Sequence, residues 1–462
     1  MMNSYAMQIA PDSPYLTDAS NYRGRADELL LPENEEAVID IMRRASAEDI
    51  PVTISGGGSG LTGGRVPDGG WLVSLEKINA LSIHPGYAVC GAGASLTSIQ
   101  NAAASSKQFY GPDPTEYSAA IGGTVATNAS GSRSFLYRAT RQHIRALRIV
   151  LANGEVLALR RGDKPPFEIP AIPAPAVRKN TAGYYMRPGM DYMDLFIGSE
   201  GTLGVVTEVE VTLLPLPRQM FAGIVFFESD DAALDAVDAW RSVAGVRMLE
   251  YVDAASLDMI RVRYPDMPSV ARAAVLTEQE VPEGDDAEEG WLMRLEQSAA
   301  LIEGSWFATS AADRERFREF RHALPEATIG LARTRGLTLV GTDFSVPIGR
   351  NREMLRYYRE KLDREFPGHS VIFGHIGDAH VHVNFLAADR EQWEIAMRLM
   401  HDFARKSVEL GGTVSAEHGL GKRKRDYLSI QFSDEQIEAM KVVKRRLDPQ
   451  WLLGRGTLFA AQ

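Results

Sequence analysis

Residues 51–64 read PVTISGGGSGLTGG, a short β-branched run that ends abruptly in glycines, and the fold turns on what those glycines do. PVTIS has strand composition. Within the glycines, GSGLTG (58–63) satisfies the GxGxxG dinucleotide fingerprint. That fingerprint requires a loop opening directly into a crossover helix. Here the chain continues as GRVPDGG (64–70), which no helix tolerates. A nicotinamide-binding Rossmann unit is therefore rejected. A flexible Gly/Ser linker and an anion cradle remain. A linker seldom runs straight from one β-rich apolar segment towards another, as this one does towards WLVSLEKI (71–78). In a cradle, successive glycines bring backbone N–H groups against a pyrophosphate with no side chain between. The small-residue stretch IGGTVATNASG (121–131) offers the same access.

Outward from the loop, residues 33–48 place Val38, Ile41, Met42 and Ala45 at helical spacing after Pro32. YAVCGAG (87–93) reads as a strand and residues 95–108 as a helix capped by Ser95. IRALRIVLANGEVLALRR (144–161) reads as a hairpin turning at Asn153-Gly154. FEIPAIPAPAVRKN (167–180) is a proline-rich loop, and GTLGVVTEVEVTLLPLP (201–217) is a strand with a proline stop. Past Pro217 the texture changes. FAGIVFF (221–227) and LTLVGTDFSVP (337–347) read as strands between amphipathic helices at 231–243 and 390–410. In the latter helix Trp393, Ala396, Leu399, Met400 and Phe403 form one apolar stripe. The acidic stretch VPEGDDAEEG (281–290) reads as a solvated loop. A boundary near 218 divides the chain into two α+β halves.

The totals narrow the function. The 462 residues call for two or three domains. A net charge of −11 argues against nucleic acid or an anionic membrane as main partner. No apolar run approaches the ~20 residues of a membrane span. The N-terminal MMNSYAMQIAPDSPYLTDAS has no basic and apolar export signature, so a cytoplasmic location is expected. The single cysteine, Cys90, reads as a buried strand residue. One thiol cannot hold an iron–sulfur cluster, which takes about four, so redox chemistry needs an organic cofactor or a His/carboxylate metal.

Five stretches follow one another in the chain: 51–64; GPDPTEYSAAIGGTVATNASGSRS (111–134); GSEGTLGVVTEVEVTLLPLP (198–217); GHIGDAHVHVN (374–384); and SAEHGLGKRKRDYL (415–428). Together they resemble the FAD-linked oxidases of the vanillyl-alcohol oxidase type. The nearest likeness is to their D-2-hydroxy-acid dehydrogenase branch, which includes D-lactate dehydrogenases, glycolate oxidase flavoprotein subunits and D-2-hydroxyglutarate dehydrogenases. The resemblance implies an α+β fold with a two-subdomain FAD-binding domain over 1–217 and a cap domain over 218–412. Segment 413–462 would return to the FAD domain and active site. It assigns Gly56, Gly57, Gly58, Ser59, Gly60 and Leu61 to the pyrophosphate loop. Pro112, Gly122, Gly123, Thr124, Ala126, Asn128, Gly131 and Ser132 would line the flavin, with Glu200, Gly201, Gly204 and Val206 at the adenosine side. Some relatives attach FAD through a histidine in the first loop. Ser59 stands in this one, so non-covalent FAD is expected. Gly454 replaces an asparagine of the relatives.

GHIGDAHVHVN holds three of the chain's nine histidines. Read as two strands meeting at a two-residue turn, Gly377-Asp378, it sets His375 opposite His380, with His382 on the same face. Two imidazoles do not complete a catalytic metal site, which usually takes three protein ligands. Glu417 is the third candidate, with His418 beside it. The resemblance implies His375, His382 and Glu417 as ligands of a divalent metal, zinc or manganese, His418 as the base and Asn384 as a substrate contact. His380 stands where relatives often carry asparagine, so no ligand role is implied for it. Without a metal, these side chains would form a hydrogen-bonded cluster.

Oxidising a 2-hydroxy acid needs a proton acceptor for the hydroxyl, a cation for the developing alkoxide and a fork for the carboxylate. The resemblance implies Arg321 for the fork, with Arg318 a neighbouring alternative. A lysine of hydroxyglutarate-oxidising relatives falls at Gly341 and a threonine near Pro325. A D-lactate-like acid therefore fits better than a dicarboxylate. Electrons would pass to a separate acceptor: a quinone, an electron-transfer flavoprotein, a cytochrome or an iron–sulfur subunit. Through it the protein could sit peripherally at a membrane. A homodimer is the oligomer considered. The rival readings are an oxygen-using flavin alcohol oxidase, a flavin-free zinc hydrolase built on the His/Glu cluster, and a non-enzymatic flavin subunit.

Overall fold

The computed structural model describes residues 6–460, so the first five residues of the stretch read for an export signal lie outside it. Three larger sheets and one two-stranded ribbon organise the described residues. The first has the order Ala6–Met7, Glu28–Leu30, Trp71–Ser74, Val52–Ser55, with its last three strands parallel. The helix Glu35–Glu48 covers it. Asn34 starts that helix by accepting from the Ala37 N–H, and the helix buries Val38, Ile41, Met42 and Ala45, as the spacing predicts. The strand Val52–Ser55 delivers the glycine loop from its carboxyl end, the usual ligand side of a parallel sheet.

The second sheet is antiparallel: Leu81–His84, Tyr87–Gly91, Val205–Thr212, Ile144–Val150, Val156–Arg160. It contains the expected hairpin about Asn153-Gly154 and buries Cys90 completely. The helix capped by Ser95 is shorter than expected, Leu96–Ala104, because Gln108–Phe109 pairs with Leu214–Pro215. The small-residue stretch forms a helix, Ile121–Thr127. A Cβ on Gly122 would lie 2.7 Å from Ala92 Cβ, so only glycine lets this helix rest on the strand side.

The third sheet has seven strands, all antiparallel: Trp306–Phe307, Met220–Phe227, Ala273–Glu280, Val246–Asp253, Ser370–Gly374, His382–Phe385, Val340–Gly341. Three expectations are corrected in this half. Of 337–347 only Val340–Gly341 forms a strand: Thr342 still bonds Val383 and Ser345 makes isolated bridges to His380 and Thr413, but between them the buried Asp343 turns its carboxylate to the His418 N–H. The acidic run is not all loop. A helix, Ala287–Gln297, begins inside it, capped by Asp286, with Glu288 and Glu289 at its electropositive end. The turn at Gly377-Asp378 is present, with the Ala379 N–H on Ile376 O (3.0 Å), but not as a two-residue hairpin. The even register holds, with Phe373 opposite His382, but pairing stops there and Ile376–Asp378 forms a 3₁₀ turn. Partners outside the hairpin hold this turn: Glu250 on His375 and Arg178 on Asp378.

Residues 452–454 come back to the first sheet. The Val52 N–H donates to Leu452 O (2.8 Å) and the Gly454 N–H to Val52 O (2.9 Å). Among the described residues no helix is long and apolar enough to cross a membrane.

Candidate active site

A cavity opens at the carboxyl end of Val52–Ser55, bordered by the glycine loop, the helix Ile121–Thr127 and the turn before Val205–Thr212. Gly56, Gly60, Gly122, Gly123, Ala126, Glu200, Gly201, Gly204 and Val206 line it, together with His418. A second cavity is lined by Ser59, Gly60, Leu61, Gly123, Thr124, Gly131, Glu417 and His418. The two share Gly60, Gly123, Thr127 and His418, so one trough leads from the glycines to the His/Glu cluster. The remaining expected cofactor residues do not line these cavities. Gly57 packs against the Ser118 backbone, Gly58 has φ +83° beside Arg65, and Pro112 precedes the buried Asp113. Asn128 ends the helix in the left-handed region and accepts from the Arg141 N–H (2.9 Å), while Ser132 donates to Asp113 (3.2 Å). Glu200 does more than line the trough. Its carboxyl accepts from the Leu420 (2.9 Å) and Gly421 (2.7 Å) N–H groups, and burial pushes its pKa up to about 7. A Cβ on Gly421 would fall 2.2 Å from Thr62 O, so glycine is needed where this segment crosses the first loop.

The four side chains His375, His380, His382 and Glu417 bring one donor atom each within 4.8 Å of one another. His375 Nδ1 meets Glu250 (2.5 Å) and its Nε2 meets Glu417 Oε1 (3.0 Å). His382 Nδ1 meets Thr342 O (2.8 Å), leaving Nε2 3.6 Å from the same Glu417 oxygen. The other Glu417 oxygen is held by Ser130 Oγ (2.8 Å) and the buried Lys179 ammonium (3.1 Å). Burial alone would raise the Glu417 pKa, but the Lys179 and His375 charges hold it well below the usual carboxylate range. Two imidazole nitrogens thus converge on one carboxylate oxygen with their other nitrogens tied to acceptors, the arrangement that orients histidines on a metal. The donor set of imidazoles and a carboxylate oxygen fits a zinc-class ion.

His418 borders the cluster. Its backbone N–H donates to Asp343 (2.9 Å), its Nδ1 lies 3.6 Å from the same carboxylate, and burial pushes its imidazole below the ordinary value. Arg321 lies on the helix Ala311–Thr334, donating to Glu250 (3.1 Å) and Thr115 (3.2 Å). Arg318 instead pairs with Glu315 at the exposed surface. Asn384 Nδ2 is buried without a partner, beside a cavity shared with His382, His418 and Lys424. A Cβ on Gly341 would fall 2.9 Å from Asn384 Oδ1, so a glycine there leaves Asn384 its place.

Residues 26–160 match the family described as FAD binding domain, and residues 216–458 match FAD linked oxidases, C-terminal domain. The chain belongs to the FAD-linked oxidases. This FAD-linked oxidase is 30% identical to the glycolate oxidase subunit GlcD of Bacillus subtilis (strain 168), over 96% of its own chain and 92% of that one. It is 31% identical to a D-lactate dehydrogenase of Archaeoglobus fulgidus, over 92% and 89% of the two chains. Its fold is similar to that of an alkyldihydroxyacetonephosphate synthase, with TM-score 0.68 at 16% identity, covering 94% of this chain and 76% of the other. The α+β architecture is thus the two-domain FAD-linked oxidase fold of the vanillyl-alcohol oxidase type. The trough suits the dinucleotide. A Cβ on Gly123 would meet nothing within 4 Å, so the helix shows bare backbone to the space a flavin needs.

The sequence reading missed Glu250, Asp343 and Lys179. Glu250 and Asp343 each lie in stretches of otherwise buried residues, MLEYV (248–252) and TDFSV (342–346). A lone acid in such a run is a usable signal, because a buried charge needs a partner. Lys179 sits in the proline-rich loop and carried no such signal.

Proposed function

We propose that this FAD-linked oxidase is a dehydrogenase of D-2-hydroxy acids of D-lactate size, forming the 2-keto acid and passing electrons to a separate acceptor. The observation that carries this reading is the position of His418. It borders both parts of the glycine-walled trough and the pocket of His382 and Asn384, so one imidazole faces the cofactor space and the His/Glu cluster. In this reading His375, His382 and Glu417 hold a divalent metal, and FAD binds without a covalent link because Ser59 stands in the loop. When bound, FAD supplies the two-electron acceptor and the divalent cation stabilises developing alkoxide charge.

The chain's own groups do the rest. His418, whose pKa burial lowers, accepts the hydroxyl proton at a ring nitrogen. Asp343 holds that imidazole in place through its contacts to the ring and the backbone N–H. Arg321, fixed along one edge by Glu250, offers its remaining N–H groups to the substrate carboxylate. Asn384 has an unused Nδ2–H pair for a substrate oxygen. Gly341 supplies no second cation, which disfavours a distal carboxylate. The lone cysteine leaves no internal iron–sulfur relay, so the acceptor is external.

Anaerobic titration with a panel of D- and L-hydroxy acids tests the reading. The flavin absorbance near 450 nm should bleach with D-lactate-like acids and more weakly with D-2-hydroxyglutarate. Absence of bleaching by any hydroxy acid would overturn it. Fast turnover with oxygen alone, matching that with a dye, would favour the oxidase alternative.

A further inference from the structure

His380 has no role in the chemistry above, yet its place is unusual. It is 0% exposed, and neither ring nitrogen has a hydrogen-bond partner. Its Nε2 lies 3.2 Å from Asp343 Oδ1, but without hydrogen-bond geometry. A buried polar group left unpaired costs about 1–3 kcal/mol, so the fold gains from any partner that satisfies it. Such a partner would sit among the cluster's donors. One His380 nitrogen lies within 4.8 Å of the donor atoms of His375, His382 and Glu417. Its ring centroid is 4.5 Å from that of His382 and 5.3 Å from that of His375.

We infer that His380 is a fourth protein ligand of the metal, making an N₃O set. The inference rests on the reading that His375, His382 and Glu417 bind a metal. Each imidazole then has an acceptor beside it: Glu250 for His375, the Thr342 carbonyl for His382 and Asp343 for His380. Outer carboxylates and carbonyls of this kind orient metal-binding histidines. Three imidazoles favour an ion of the zinc class over manganese or magnesium.

Zinc K-edge X-ray absorption on the wild-type holoprotein counts imidazoles without any substitution. Three imidazole scatterers are expected, and two would overturn the inference. His380→Asn should keep FAD but surrender zinc to a competing chelator about tenfold more readily or more, since even loss of an outer partner costs about 10–100-fold in affinity. The visible spectrum of a cobalt-substituted His380→Asn protein should weaken as water replaces the nitrogen. Unchanged extraction and an unchanged cobalt spectrum would show a three-ligand site with His380 outside it. Wild-type protein active with full flavin and no stoichiometric metal would overturn the metal reading itself, and this inference with it.

Discussion

Gly123 shows how much a single missing side chain can decide. It lies in the helix Ile121–Thr127 on the wall common to both parts of the trough, and an added Cβ would meet nothing within 4 Å. Gly123→Leu should therefore fold, with a thermal midpoint near that of flavin-stripped wild type, while its side chain takes space the flavin needs. The measurement is the ratio of 450 nm to 280 nm absorbance after purification. It should fall at least severalfold, and full flavin content would move the cofactor elsewhere. At this scale the sequence was informative where chemistry is local. Glycines next to a strand, and Glu417 adjoining His418, carry their meaning in short spacing. Glu250 and Lys179 do not. Glu250 reaches His375 from 125 positions away and Lys179 reaches Glu417 across 238, and no short pattern encodes such a meeting.

Among the elements, the helix Ala311–Thr334 carries a deliberate flaw. Pro325 sits inside it and has no N–H to give, so the Arg321 carbonyl loses its usual i+4 donor. The missing bond falls one turn after the arginine proposed for the substrate carboxylate. Pro325→Ala should repair the helix and raise stability by about 1–3 kcal/mol, within the ~3 kcal/mol cost of an interior proline. In return it should shift the Arg321 guanidinium and raise KM for the hydroxy acid with flavin content unchanged. Denaturant unfolding together with steady-state kinetics checks both, and an unchanged KM would separate Pro325 from substrate binding. Elements with strong periodicity, such as Glu35–Glu48 and Arg390–Glu409, were legible from sequence because one apolar stripe fixes both period and face. The stretch 337–347 was not. Its composition is that of a strand, but after Thr342 the pairing is interrupted where the Asp343 carboxylate takes the His418 N–H, leaving only isolated bridges at Ser345.

In the whole molecule, half-buried ion pairs join the first half to the third sheet. Arg133 spans from Asp113 (3.1 Å) to Glu278 (2.9 Å), which Arg247 also contacts (2.7 Å). Burial pushes the Glu278 carboxyl up, but the two arginines outweigh it and hold its pKa at about 2, against an ordinary 4.5. A carboxyl depressed in the folded state stabilises above its unfolded pKa, and that contribution fades as pH falls from about 4.5 towards 2. The thermal midpoint should therefore drop across this window. In Glu278→Gln it should start lower at neutral pH and fall less steeply, and an equally steep fall would detach this contact from acid unfolding. A second long-range junction has a different consequence. Ser46 bonds to Gln450, 404 positions away, next to the point where residues 452–454 border Val52. At about 5–20 residues per second, a ribosome makes the two sides of that junction roughly 20–80 s apart. Until then the strand that launches the glycine loop has an open edge, and closing so long a loop is slow. Cofactor capture is thus a late event in the life of each chain. A polypeptide stopped before Gly454 should therefore stay colourless and open to proteases, and flavin retained by such a truncated chain would separate cofactor capture from this closure.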